Sequence, residues 1–203
     1  MNAVELISLN IELEFGINST GLLVPRPGSD AAEVPRFSIV RYEEGYITYF
    51  RHDLPCRARE QLAVLAFEQA FNDHETVKHI LAEDTPCEKM WIGNSYYFTH
   101  IPTLDEFPDV VLHQGCYVVK VAGEPVAWAW TVRGNELAAE VATETLPAFR
   151  RRGYGRQVTA AWACHVMQEG KVAFFSHERD NLASRALAWS LGVVQYSSVV
   201  EYK

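Results

Sequence analysis

The start of the chain alternates between apolar and polar positions. From Ile7 to Phe15 every second residue is apolar, and this period of two predicts a half-buried strand. Turn residues follow over 16–21, and 22–24 is a candidate partner strand. Residues 25–30, Pro-Arg-Pro-Gly-Ser-Asp, have the composition of a linker. The pattern therefore predicts a strand-rich N-terminal segment.

The middle of the chain predicts a hairpin and then helices. Residues 37–42 and 46–51 are apolar-rich and flank a Glu-Glu-Gly turn, which is typical of a β-hairpin. Asp53 is placed to cap a first helix, whose apolar stripe extends to Ala70, and Asp73 to cap a second, shorter helix. Two stretches further on show no helical pattern: 93–101, an aromatic strand or loop, and 105–109, a loop.

After residue 115 the pattern sharpens into strands joined by helices. The predicted elements are a hairpin (116–121 and 125–132), a strand (136–146), a helix (154–168), a short apolar strand (172–176), a helix (182–191) and a last strand (193–201). A strand, a crossover helix and a strand imply two parallel neighbours joined right-handedly, whereas hairpins are antiparallel. We therefore expect an α/β (α+β) fold with a mixed, twisted sheet and helices on both faces.

Composition excludes several classes of protein. No apolar run reaches the roughly 18 residues of a membrane span, and the N-terminus lacks the order of a signal peptide. The formal net charge of −8 argues against a nucleic-acid partner, because phosphates favour a basic face. The four cysteines form no Cys-x-x-Cys pair, so we expect reduced thiols in a cytoplasmic protein.

An arginine- and glycine-rich stretch between the predicted strand 136–146 and the helix 154–168 is the main candidate site. It runs from Thr145 to Gln157 as Thr-Leu-Pro-Ala-Phe-Arg-Arg-Arg-Gly-Tyr-Gly-Arg-Gln. The first amides of a helix have no internal partner and lie at its positive end, where anions bind. A dinucleotide fingerprint would need glycine at Val158, and no Gly-Lys-Ser/Thr follows as in a P-loop. The stretch therefore predicts a site for a phosphorylated ligand of another class.

The same residues resemble motif A of the GNAT superfamily of acyl-CoA N-acyltransferases. Arg150-Arg151-Arg152-Gly153-Tyr154-Gly155 matches Arg/Gln-x-x-Gly-x-Gly/Ala, and the preceding Thr-Leu-Pro is frequent in that family. Downstream, the family's Asn-x-x-Ser helix that ends in Leu-Gly is present at 181–184 and 191–192. The motifs cover 116–203, and over 45–115 only the order of elements agrees. The resemblance implies an acyltransferase domain over 45–203 after an extension at 1–44.

The resemblance also implies how acyl-CoA is held. In the family, two parallel central strands splay apart, pantetheine enters the gap, and the glycine turn binds the pyrophosphate. Thr145 and Leu146 match the positions whose backbone pairs with pantetheine and polarises the thioester carbonyl. Asn181 matches a pantetheine-binding residue and is otherwise a good helix cap. The implied CoA-binding residues are Thr145, Leu146, Arg150, Arg151, Arg152, Gly153, Tyr154, Gly155, Arg156, Gln157, Asn181 and Ser184.

The catalytic groups are less sharply defined. An amine acceptor must lose a proton, which a positioned carboxylate can accept. Glu140 matches, to within one position, the strand glutamate of histone-type members, and Glu144 is its rival on the same strand face unless a bulge intervenes. Ala188 stands where many members carry a tyrosine acid, so either the thiolate leaves unprotonated or another residue, Tyr154 or Tyr196, serves as the acid.

The sequence contains neither the metal-binding motif nor the hydrolase motif that we considered. His74, Glu75 and His79 are spaced one residue too far for His-Glu-x-x-His, and no Gly-x-Ser-x-Gly occurs, so no metal is expected. His177 follows the predicted strand 172–176, and we interpret it as a surface residue that could still reach the cleft.

Together these features predict a GNAT-type N-acetyltransferase. Its donor would be acetyl-CoA, and its acceptor a primary amine of a small molecule or peptide, of unknown identity, that attacks directly. Two alternatives remain open: a non-catalytic acyl-CoA-binding or regulatory module on the same fold, and an unrelated nucleotide-binding α/β protein. The oligomeric state is also open, with a homodimer as one option.

Overall fold

The computed structural model describes residues 1–87, 89–102 and 109–203. Six α-helices and eleven strands lie in this part of the chain. It divides into two compact units, the first made of Met1–Asn94 and Tyr196–Lys203 and the second of Ser95–Gln195. The domain start predicted at residue 45 falls at the turn of a hairpin inside the first unit.

The first unit holds four helices and a small set of strands. Its elements are α1 (Ala3–Glu14), β1 (Gly16–Ile17), β2 (Leu23–Val24), β3 (Phe37–Tyr42), β4 (Gly45–Phe50), α2 (Cys56–Ala63), α3 (Phe67–Asn72), α4 (His74–Ala82), most of β5 (Met90–Tyr97) and most of β11 (Val194–Tyr202). The strand order is β4–β3–β11–β5, with β3 antiparallel to both β4 and β11. The predicted hairpin over 37–42 and 46–51 is therefore confirmed.

The strand predicted over 7–15 is wrong, because this segment forms helix α1. A capping box starts the helix: Asn2 Oδ1 accepts the N–H of Glu5, and Glu5 Oε2 accepts the N–H of Asn2, both at 2.9 Å. The buried side chains recur at helical spacing: Leu6, Ile7, Ile11 and Leu13. The same apolar residues thus satisfy a helical period as well as a period of two.

The helix predicted after Asp53 is also corrected. It divides into two short helices, α2 and α3, and no described side chain caps α2. Asp53 instead pairs with Arg51, Oδ1 to Nε at 2.6 Å. The second predicted cap is confirmed, since Asp73 Oδ1 accepts the N–H of Thr76 at the start of α4.

The second unit carries the strands and helices of the C-terminal pattern. Its elements are the end of β5, β6 (Val110–His113), β7 (Cys116–Val121), β8 (Glu124–Gly134), β9 (Ala138–Thr145), α5 (Tyr154–Gln168), β10 (Val172–Glu178), α6 (Leu182–Leu191) and the start of β11. The strand order is β5–β10–β9–β8–β7–β6, antiparallel from β6 to β9 and parallel between β9 and β10. Every element predicted after residue 115 is present.

Helix α5 covers the sheet of the second unit. Its buried residues include Val158 and Trp162, which join a core with Ala139, Phe175 and Ala188. Strand β6 has no counterpart in the predicted elements. The loop predicted over 105–109 lies, apart from Asp109, outside the described residues. The expected mixed α/β fold is confirmed.

Candidate functional site

The parallel strands β9 and β10 are paired along only a short ladder. It joins three residue pairs: Ala138 with Val172, Ala139 with Ala173, and Glu140 with Phe174. Beyond Glu140, β9 keeps its antiparallel partner β8 as far as Thr145, but no further pair joins it to β10 in this fully described stretch. A gap therefore opens between the two parallel strands.

Two backbone amides of β9 are directed to this gap. Leu146 donates its N–H to the carbonyl oxygen of Val126, next to β9, at 3.0 Å. Because amide directions alternate along a strand, the N–H groups of Thr143 and Thr145 are directed away from β8. The amide expected to polarise a thioester carbonyl can thus come from Thr143 or Thr145, whereas the N–H of Leu146 already has an acceptor.

Beyond the gap, the chain turns sharply into α5. A 3₁₀ turn at Pro147–Phe149 is followed by Arg151 at φ 60° and by Gly153, the helix N-cap, at φ 82°. The first intrahelical bond runs from the N–H of Gln157 to Gly153 O at 3.1 Å. The amides of the preceding turn have no acceptor within the helix, and the N-cap residue Gly153 has no side chain to cap them. The helix therefore presents uncapped N–H groups at its positive end.

The arginines of the turn are exposed and partly anchored. Arg150 donates from Nε to Thr145 O at 3.1 Å, and Arg156 donates from Nε to Ser190 O on α6 at 2.9 Å. The guanidinium of Arg152 lies 5.3 Å from the ring centroid of Phe149. These contacts hold fixed positive charge around the open amides.

The two glycines of the motif serve different purposes. Gly153 has a positive φ that side chains rarely adopt, and a Cβ built there would meet no described atom within 4 Å. A Cβ at Gly155 would meet Thr145 Oγ1 at 3.2 Å and the side chain of Leu187 at 4.0 Å. Gly153 therefore shapes the turn and leaves open space above it, whereas Gly155 allows close packing.

Asn181 and Ser184 lie at the start of α6. Asn181 Oδ1 accepts the N–H of Ser184 at 3.0 Å, so Asn181 is the helix cap. Asn181 is exposed and Ser184 is half-buried. Contact between these residues and pantetheine remains a prediction.

The two candidate carboxylates differ in environment. Glu140 is only 3% exposed: Oε2 accepts from Arg133 Nη1 at 2.8 Å, and Oε1 accepts from the hydroxyl of Ser176 on β10. Glu144 is exposed. The register shift in this part of the sheet lies on β8, between Thr131 and Arg133, so β9 runs without a bulge and both carboxylates share a strand face.

The two tyrosines considered as acids belong to different compact units. Tyr154 is the first residue of α5, half-buried and packed against the core of the second unit. Tyr196 is a buried residue of β11 that belongs to the first unit. Ala188, where the family tyrosine would stand, is fully buried in the core below α6.

His177 is not a surface residue, so that interpretation was wrong. It is 5% exposed, as is Tyr96 on β5, and the two rings stack with centroids 5.3 Å apart. His177 Nδ1 lies 2.7 Å from Glu178 O, which leaves Nε2 to accept the Tyr96 hydroxyl at 3.2 Å. No sequence motif joins these two residues, because the pairing arises from neighbouring strands that are distant in sequence.

Two further features are absent from the part of the chain that the structure describes. No group of His, Cys, Asp and Glu side chains is arranged to hold a metal ion among these residues. No helix among them is long and apolar enough to span a membrane.

Comparison with known proteins agrees with this geometry. The family model described as FR47-like protein matches residues 118–200, from β7 to β11. Among curated proteins, none matches the sequence.

Several solved structures align with this chain and are similar to it in fold. A GNAT-family acetyltransferase from Colwellia psychrerythraea aligns over 100% of this chain and 97% of its own, at 10% identity and a TM-score of 0.55. A GCN5-related N-acetyltransferase-like protein from Streptococcus suis 89/1591 aligns over 86% of each chain, at 11% identity and a TM-score of 0.49. A GNAT-family protein from Novosphingobium aromaticivorans DSM 12444 aligns over 57% of this chain and 66% of its own, just under two thirds of its length, at 17% identity and a TM-score of 0.48.

Splayed parallel strands above an uncapped, arginine-rich helix start define this chain as a protein of the GNAT fold. The Colwellia structure shares that fold over the whole chain, and the family model covers the part that carries the site. The GNAT-like fold predicted from motif A is thus confirmed.

Proposed function

We propose that this protein is an N-acyltransferase that transfers an acetyl group from acetyl-CoA to a primary amine of a small molecule or peptide. In the proposed reaction a neutral amine attacks the thioester carbon directly. The carbon–nitrogen bond forms, the carbon–sulfur bond breaks, CoA leaves as its thiolate, and the amine nitrogen loses a proton.

The observation that carries the proposal is the gap between β9 and β10, which leads to the start of α5. Uncapped helical amides and four arginines, which lie at 150–152 and 156, suit a pyrophosphate. The gap exposes unpaired β9 amides on the way to that turn, which suits the extended, amide-bearing pantetheine arm.

In this proposal each part of acetyl-CoA has assigned residues. The turn from Arg150 to Gln157 holds the pyrophosphate, with Tyr154 at its centre. Thr145 and Leu146 lie along the pantetheine arm, and Asn181 and Ser184 approach it from α6. An outward amide at Thr143 or Thr145 polarises the thioester carbonyl.

Glu140 is the proposed proton acceptor, either directly or through a water molecule. Oε1 accepts one hydrogen bond, from Ser176, and a carboxylate oxygen has a second lone pair that can take the proton. Glu144 on the same strand face is the alternative acceptor. The thiolate leaves unprotonated in this proposal, because Tyr154, the candidate acid of the second unit, lies in the turn assigned to the pyrophosphate and a pantetheine arm away from the sulfur.

A non-catalytic acyl-CoA-binding module is the second candidate. Ala188 favours it, because a buried methyl group occupies the position where a tyrosine acid would stand. The engagement of both Glu140 oxygens also favours it. Such a module would bind acetyl-CoA in the same way but release no CoA.

Acetyl-CoA binding is tested with a matched pair of glycine variants. Gly153 and Gly170 lie at the two ends of α5 with φ of 82° and 78°, and neither has a described atom near an added Cβ. Gly153→Ala and Gly170→Ala should therefore cost similar folding free energy. Only Gly153→Ala should obstruct the pyrophosphate and weaken acetyl-CoA binding at least tenfold, or about 1.4 kcal/mol.

Isothermal titration calorimetry on folded variants decides the outcome. Equal affinities of the two variants for acetyl-CoA would remove the turn as the binding site. Release of free thiol from acetyl-CoA in the presence of a panel of primary amines then separates the two candidates. Release that requires an amine supports the transferase, and binding without release across the panel supports the module.

A further inference from the structure

Strand β6 is the outer strand of the sheet in the second unit. It pairs with β7 on one side, and no described strand pairs with its other side. Natural edge strands usually carry charged residues or proline, which prevent pairing with another chain. β6 reads Val-Val-Leu-His, without Lys, Arg, Asp, Glu or Pro, and its Val111 and Leu112 are 45% and 67% exposed. This edge therefore lacks the usual protection against a further strand.

The hairpin turn determines which backbone groups of β6 are directed outward. Gln114 and Gly115 join β6 to β7 with φ of 50° and 79°, as in a two-residue type I′ turn. In such a hairpin the flanking pair, His113 with Cys116, exchanges both backbone hydrogen bonds, and hydrogen-bonded pairs then alternate along the ladder. The backbone groups of residues 111 and 113 thus bond to β7, whereas those of 110 and 112 are directed away from it.

We infer that a second copy of this chain pairs with this edge, β6 against β6, antiparallel about a twofold axis. Such an axis is the usual symmetry of a dimer of identical chains. The outward backbone groups select the register. Val110 lies opposite Leu112 of the partner subunit, so that each such pair exchanges both backbone hydrogen bonds, and Val111 lies on the axis. The interface is independent of the acyl transfer proposed above.

The side chains match in the same register. Val111 meets the partner's Val111, and Val110 meets the partner's Leu112, so the exposed apolar residues gain apolar neighbours. Asp109, one position before the strand, meets His113 of the partner subunit, which gives a carboxylate–imidazole pair on each side of the axis. Moving the axis to residue 112 would oppose residue 110 with the turn and lose hydrogen bonds. Backbone groups, apolar residues and charges thus select one register.

Substitutions at the axis test the interface. Val111→Lys places two lysines directly opposite each other and should weaken dimerisation about tenfold or more. Val111→Thr keeps a β-branched side chain without charge and should retain most of the affinity. Val132→Lys changes a valine that is 49% exposed on β8, away from this edge, and should leave dimerisation unchanged. Sedimentation equilibrium up to high micromolar concentrations measures all of them, because so short an interface predicts weak association.

Cysteine variants test the register. Only residue 111 meets its own copy, and the Cα separation of about 4.5 Å in a non-hydrogen-bonded pair suits a disulfide. Val111→Cys should therefore oxidise to a covalent dimer. Leu112→Cys, at the more exposed position, should stay at the level of the unmodified protein, which itself has an exposed thiol at Cys56. Non-reducing electrophoresis measures both.

A charge exchange tests the outer pairs. His113→Glu sets a carboxylate opposite Asp109 in each pair and should weaken dimerisation by about 2- to 30-fold, the range for two cross-strand pairs. The further change Asp109→Lys should restore it.

Several outcomes would overturn the inference. An unmodified protein that stays monomeric over the whole concentration range does so, as does a dimer that a folded Val111→Lys leaves intact. Equal covalent dimer from Leu112→Cys, or no recovery when Asp109→Lys is added to His113→Glu, overturns the register. If Val111→Lys does not fold, the two cysteine variants decide.

Discussion

Glu140 holds both of its carboxylate oxygens against neighbours, which is an unusual state for a proposed base. Arg133 lies on the adjacent strand β8 and Ser176 on β10, just beyond the last ladder pair. The Glu140 carboxylate thus links β9 to β10 at the point where these two strands separate. Two roles are compatible with this arrangement: the Glu140 carboxylate accepts a proton, or it only holds the strands in place.

Glu140→Gln tests this question, because it preserves shape and removes the proton acceptor. We expect turnover at neutral pH to fall by roughly 10² to 10⁴, the usual contribution of a positioned base. Affinity for acetyl-CoA should stay within about threefold. Steady-state kinetics and calorimetry measure the two quantities, and a thermal melt confirms that the variant is folded.

Two controls separate proton transfer from bridging. Ser176→Ala breaks the bridge but keeps the carboxylate, so its turnover should stay within about tenfold if Glu140 is the base. Glu144→Gln should have little effect because that carboxylate is exposed. A reversed order, with Glu144→Gln the inactive variant, would move the proton acceptor to Glu144.

In α1 the capping residues decide between a strand and a helix, because the apolar residues of this segment fit both a period of two and a helical period. The apolar residues of this segment fit a strand and a helix, but a strand would have no use for the capping box of Asn2 and Glu5. These paired bonds satisfy helix-end amides that would otherwise lack partners. The cap therefore favours the helix.

Replacement of the cap residue tests this account. Asn2→Ala removes the side-chain acceptor for the N–H of Glu5 and should lower the free energy of unfolding by about 1 kcal/mol. Asn10→Ala lies within the same helix and should leave stability unchanged or raise it, because alanine has the higher helix propensity. Urea denaturation measures both. Equal effects of the two variants would contradict the role of the cap.

At the scale of the whole molecule, positive charge is concentrated locally in an acidic protein. The formal net charge is −8, yet the turn at the start of α5 carries four arginines within a few residues. A local cationic site within an acidic surface can attract a polyanionic donor without general affinity for nucleic acids. The four thiols are likewise distributed singly, and all are free.

The thiols should react in the order of their exposure. Cys56 is exposed, whereas Cys164 is buried, and burial raises the pKa of the Cys164 thiol, so that less of it is thiolate at a given pH. Because thiolate fraction and access both control the rate, we expect iodoacetamide to modify Cys56 at least roughly tenfold faster than Cys164. Peptide mapping by mass spectrometry measures the order. Modification of Cys164 before Cys56 would contradict the packing of α5.

The turns, helices and hairpins of the second unit could be predicted from the sequence. The glycine turn, the extent of α5 and α6 and the hairpins of the second unit depend on residues close together in the chain. Such residues determine which backbone angles are allowed and which amides lack partners. For this reason the sharp turn at Gly153 could be predicted, and the parallel pairing of β9 with β10 followed from one crossover helix.

Tertiary structure alone decided which polar groups are buried and which face the gap. The partners of Glu140 and the stacking of His177 on Tyr96 both depend on strands that are distant in sequence. The apolar residues of the N-terminal segment fit both a strand and a helix, so the hydrophobic pattern alone could not predict which of the two forms. Burial is a property of the packed chain, because each side chain's surroundings come mainly from other elements, and it is burial that gives these residues their chemistry.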